Sequence, residues 1–69
     1  MIYNVRWVPE GDGEEYRSRD QASADDAMAF ACTVLDQMTV RDIRVMDMSG
    51  QQIMMMAEIL RHYRAARQR

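Results

Sequence analysis

Few side chains in this sequence are able to act as nucleophile, general base or metal ligand. Cys32 is the only cysteine and His62 the only histidine. A thiol becomes a nucleophile beside a base or at a helix N-terminus, whereas Phe30-Ala31-Cys32-Thr33 lies inside a helical pattern. The expected role of Cys32 is therefore that of a small, half-buried residue. Glu58 and His62 stand four apart, which places both on one helix face. An exposed helix-stabilising pair worth ~0.2–0.5 kcal/mol accounts for them without a metal. A single cysteine also excludes an intrachain disulfide and a cysteine-based zinc site. All nine basic residues are arginine, so lysine Schiff-base chemistry is excluded as well. Gly11-Asp12-Gly13 is followed by acids that repel phosphate, and there is no serine-centred nucleophile turn. The sequence reads as non-enzymatic, with no cofactor and no metal.

Two other groups have chemistry to offer. Four of the eight methionines, Met46, Met48, Met54 and Met55, fall within ten residues of one another. Flexible thioethers fill irregular gaps in a core, and they also form adaptable binding surfaces. These four are the expected partner-binding residues of a small protein-interaction module, whose expected partner is another protein or a second copy of the chain, with a homodimer as the favoured state. The second group is basic. Residues 57–69 carry Arg61, Arg64, Arg67 and Arg69 against Glu58, a balance of +3, while residues 10–36 carry eight acids against Arg17 and Arg19, a balance of −6. Phosphate contacts through those four arginines give the alternative, a nucleic-acid-binding regulator. Against it stand a net charge of −2 and the ordinary preference of cations for a helix C-terminus.

Both groups have to be held by elements that the sequence also announces. Residues 2–8 alternate, with Tyr3, Val5 and Trp7 on one face and Asn4 and Arg6 on the other, which predicts a strand. Pro9 to Glu14 is turn chemistry, and residues 15–20 follow as a charged edge strand. Ser23 with Asp26 three residues later caps a helix over 24–37. Its stripe of Ala24, Ala27, Met28, Phe30, Ala31, Val34, Leu35 and Met38 faces a core. Residues 41–48 have apolar side chains on both faces, which predicts a central strand covered twice. Ser49-Gly50 then permits two continuations: a hairpin pairing residues 51–54 back on the third strand, or a helix capped by Ser49 and running from about residue 50. The compact apolar ribbon from Ile43 to Ile53 favours the hairpin. Residues 55–67 read as a second helix with Met56, Ile59, Leu60, Tyr63 and Ala66 in one stripe.

The expectation is one α+β domain over 1–69, ββαββα, with an antiparallel sheet of three to four strands and two helices in two layers. Leu, Ile, Val and Phe number only twelve of 69 residues, and a core of this size rarely supplies more than ~3–5 kcal/mol. Its expected centre is Tyr3, Val5, Trp7, Phe30, Val34, Leu35, Ile43 and Val45. No segment approaches the ~20 apolar residues of a membrane span, and the expected setting is the cytoplasm. The order Val8-Pro9, Gly13, Ala22-Ser23-Ala24-Asp25-Asp26-Ala27 and Ile43 to Ile53 resembles small bacterial domains of unknown function built as hairpin, helix and hairpin. The first 35 residues also resemble the N-terminal part of HicB-type antitoxins, an edge hairpin followed by an acidic-capped, alanine-rich helix. These resemblances imply the architecture and transfer no site residue.

Overall fold

The structure, a computed structural model, describes residues 1–67. Its elements are β1 (Tyr3–Pro9), β2 (Tyr16–Arg17), α1 (Ala24–Gln37), β3 (Val40–Asp47), β4 (Gln52–Met54) and α2 (Met56–Arg67). The strands form one antiparallel sheet in the order β2-β1-β3-β4, and the fold is α+β. The central pair is β1 and β3, in register from Tyr3 opposite Asp47 to Val8 opposite Asp42, with a shift before Pro9 meets Val40.

Alternation along β1 and β3 sends Val5, Ile43 and Val45 to one face, where each is fully buried. Both helices cover that face. α1 begins where Ser23 Oγ accepts from the Asp26 amide at 3.0 Å, with Asp25 and Asp26 at the positive end of the helix dipole. Ala27, Ala31 and Val34 enter the core. Their small size lets the helix lie close to the sheet, and Trp7 packs beside them with its ring 5.7 Å from Phe30 and 6.0 Å from Tyr16. α2 contributes one fully buried side chain, Ile59, with Met54 and Met56 packed against the same cluster.

The opposite face carries Asn4, Arg6, Arg44 and Met46, and among the described residues no helix lies on it. The central strand is thus covered by helices on one side, not on two. Met46 is still only 8% exposed. It sits opposite Asn4 and Gln52, on the same face as Arg6 and Arg44, long side chains whose stems shield apolar neighbours while their charged ends reach water.

One boundary differs from expectation for a physical reason, and the expected hairpin at Ser49-Gly50 forms. The strand expected over 15–20 is reduced to Tyr16 and Arg17, because Ser18 replaces part of the ladder with its side chain. The Val5 amide donates to Ser18 Oγ at 2.8 Å, and the Ser18 amide donates to the Val5 carbonyl at 2.8 Å. The chain then returns to β1 at Gln21, whose amide and carbonyl exchange hydrogen bonds with Tyr3. At Ser49 the hairpin wins over the capped helix. Asp47 Oδ1 accepts from the Ser49 amide, the Ser49 hydroxyl and the Gln51 amide at 2.6–2.9 Å, so Ser49 is engaged with the turn. Gly50 completes it at φ +87°, a conformation that favours glycine. These bonds hold the Asp47 carboxyl below its usual range, with the Ser49 hydroxyl as the largest contribution.

Candidate functional site

β4 is one free edge of the sheet, and Met55 alone separates it from α2. The Met55 carbonyl accepts from the amides of Glu58 and Ile59 at 3.1 and 3.2 Å, so the edge strand runs directly into the first turn of the helix. The ladder between β3 and β4 pairs Val45 with Met54 and Met46 with Gln52, which leaves Ile53 as the extra residue of a bulge. The four methionines therefore separate into two kinds. Met54 packs against the core and Met46 is buried on the helix-free face. Met48, 65% exposed in the turn, and Met55, 51% exposed at the start of α2, lie at the surface together with Ile53. Gln51 to Ala57 contains no charged residue. That uncharged run is the signal that would have placed Ile53 in the group from the sequence.

The basic residues also divide. Asp36 of α1 pairs with Arg67 and accepts from the Tyr63 hydroxyl at 2.8 Å, while the Arg67 guanidinium lies 5.1 Å from the centre of the Tyr63 ring. Arg67 is engaged in clipping α2 to α1. Arg61 and Arg64 are exposed and line, with Ala57 and Ala65, a depression of about 450 Å3 on α2. Arg69, the fourth arginine expected to meet nucleic acid, lies outside the described residues.

Strand register creates a third basic group that the linear sequence conceals. Arg17, Arg6 and Arg44 are direct partners across β2, β1 and β3. Like charges opposite one another destabilise a sheet. Here Glu15 Oε1 lies 3.8 Å from Arg6 Nη1 and 3.1 Å from Arg44 Nη2, Asp42 lies 3.0 Å from Arg44 Nε, and Asp20 lies 3.7 Å from Arg17. The Asp42 contact is an ion pair by distance without hydrogen-bond alignment, since Arg44 Nε has no hydrogen-bond acceptor among the described residues. Three acids thus offset three arginines, and such exposed pairs are worth ~0–1 kcal/mol each.

Cys32 is half-buried in α1, and burial pushes its thiol up, away from the thiolate form. Among the described residues no group of three or more His, Cys, Asp or Glu is placed to hold a metal ion, and no helix is long and apolar enough to cross a membrane. No family model matches this chain, and neither a curated protein nor a solved structure matches it significantly.

Proposed function

We propose that this protein is a small, cytoplasmic, non-enzymatic interaction module that pairs with a second copy of itself along β4. The carrying observation is the uncharged free edge of β4, which exposes Ile53 and is flanked by exposed Met48 and Met55. An edge strand presents unpaired amides and carbonyls, and monomeric proteins usually blunt such edges with charge, proline or a covering segment. β4 has none of the first two between Gln51 and Ala57. A two-fold contact sets each patch against its own copy, so an uncharged strand meets no like charge there. The two methionines and Ile53 would supply the apolar contact, and Met46 and Met54 would support the edge from within the fold. The thin core of a short chain also favours burial against another copy.

Light scattering coupled to size exclusion, across a dilution series from low to high micromolar, tests this reading. The expected result is a dimer that dissociates on dilution, and that Ile53→Lys converts to a monomer with an unchanged circular dichroism spectrum. A wild-type monomer at the highest concentration would overturn it.

The second reading, a nucleic-acid regulator, rests on the exposed Arg61 and Arg64 beside two alanines on α2. It expects salt-sensitive binding of single- or double-stranded probes that is weakened by replacing both with Gln. No shift at low salt would remove it.

A further inference from the structure

At the other end of the sheet, Trp7, Pro9, Asp12, Tyr16 and Met38 line a cleft of about 310 Å3. This is within the range of small-ligand and side-chain pockets. Its walls are aromatic and apolar. The Trp7 and Tyr16 rings stack at 23°, and both Tyr16 and Met38 remain more than a third exposed. Tyr16 is the one large apolar residue between Pro9 and Gln21, and it is spent on this wall, not on the core.

The cleft is held open by the loop that borders it. The Glu10 amide donates to the Thr39 carbonyl at 3.0 Å, which fastens the loop to the segment that follows Met38. The Asp12 and Gly13 amides turn back on the Pro9 carbonyl, and Gly13 adopts φ +78°. The Tyr16 hydroxyl donates to Asp12 Oδ2, which fixes that carboxylate beside the ring. Glu15 is directed to the arginines of the helix-free face, whereas Glu10, Asp12 and Glu14 form no ion pair among the described residues. Three uncompensated carboxylates therefore lie in the loop that borders an aromatic wall.

We infer that this cleft binds an arginine side chain presented by a partner protein, with the guanidinium on Asp12 and the aliphatic stem against Trp7, Tyr16 and Met38. A guanidinium meets a carboxylate through paired hydrogen bonds and packs on aromatic faces, and it is weakly hydrated enough to leave water for such a site. An acidic or uncharged apolar side chain satisfies only one of the two halves of the cleft. The inference stands apart from pairing along β4, because β2 and β4 are opposite edges of the sheet.

Trp7 is the only tryptophan and reports on the cleft directly. The experiment titrates the full chain with the blocked peptide Ac-Ala-Ala-Arg-Ala-Ala-NH2 and, separately, with its citrulline counterpart, which keeps the shape and loses the charge. The expected result is a saturable change in Trp7 fluorescence with the arginine peptide, weakened about tenfold or more by citrulline, by Asp12→Asn and by raised salt. Tyr16→Phe keeps the ring and removes the hydroxyl that positions Asp12, so it should weaken binding less than Asp12→Asn; Ile53→Lys should leave binding unchanged. Circular dichroism confirms that each variant is folded. Equal affinity for the two peptides, or for wild type and Asp12→Asn, overturns the inference. So does a Trp7 signal that depends on protein concentration alone, which would mean that a second copy fills the cleft.

Discussion

β2 closes one side of the sheet with two ladder residues, after which Ser18 and Gln21 satisfy the outer groups of β1 without continuing the strand. Charges crowd that side: Glu14, Glu15, Arg17, Arg19 and Asp20 all lie within seven residues. β4 closes the other side with three residues, a bulge at Ile53 and no charge from Gln51 to Ala57. Both strands are short, so length does not distinguish them. Side-chain chemistry does: one edge repels another strand and the other has nothing with which to repel it. The contrast extends to what each edge is fastened to. The segment after β2 is fastened back to β1 by the hydrogen bonds of Ser18 and Gln21, while β4 enters α2 through one residue and shares the core contact of Ile59.

The largest effect is expected at Ile59, on the β4 side. Replacing the one fully buried side chain of α2 with alanine should cost ~2–5 kcal/mol, comparable to the whole stability expected of so small a core. Urea denaturation should show a chain largely unfolded in buffer, whereas Tyr16→Ala, at the charged edge, should leave a cooperative transition. The turn before β4 offers a milder perturbation. Gly50→Ala forces a side chain into φ +87°, a cost of ~1–2 kcal/mol, which should appear as a lower urea midpoint with an unchanged slope.

Exchanging the chemistry of the two edges isolates the role of charge. Arg17→Ile removes a charge from the β2 edge and one member of the arginine row, and it should raise concentration-dependent association in light scattering. Ile53→Lys should lower it, and the double variant should recover association through the β2 side alone. No response to Arg17→Ile would mean that Ser18, not charge, protects that edge. The smallest effect concerns pH. The Asp47 carboxyl titrates below its usual value because the folded turn donates hydrogen bonds to its charged form, led by the Ser49 hydroxyl. Its contribution is fully present above the unfolded value of about 3.9 and fades as pH falls through the lower folded value. Chemical denaturation of wild type and Asp47→Asn between pH 6 and 3 should therefore converge at the acid end, with wild type more stable at pH 6.

The order of elements was legible because each is announced locally. The alternation of Tyr3, Val5 and Trp7, the Ser23 cap with its two aspartates and the alanine stripe of α1 act over a few residues, and the structure uses all of them. The hairpin at Ser49-Gly50 was legible as one of two options, and Asp47 decided it by taking the Ser49 hydroxyl. The candidate sites were less legible. Met46, Met48, Met54 and Met55 form one group in the sequence, yet the bulge at Ile53 and the alternation of β3 divide them between interior and surface. Arg67 reads as one of a basic series, and its pairing with Asp36 thirty-one residues away takes it out of that series.

Local geometry, in strand, cap, turn and helix, followed from short-range sequence alone, as did the scarcity of groups able to catalyse. These depend on interactions between residues a few positions apart, whose energies do not wait for the rest of the fold. Tertiary structure decided which side chains are neighbours at long range. Register brought Arg17, Arg6 and Arg44 into one row and stacked Tyr16 on Trp7, and packing placed both helices on one face of the sheet. Because successive strand residues point to opposite faces, one bulge or one step of register changes which residues meet. That choice is made by the shared core and cannot be read from any segment alone.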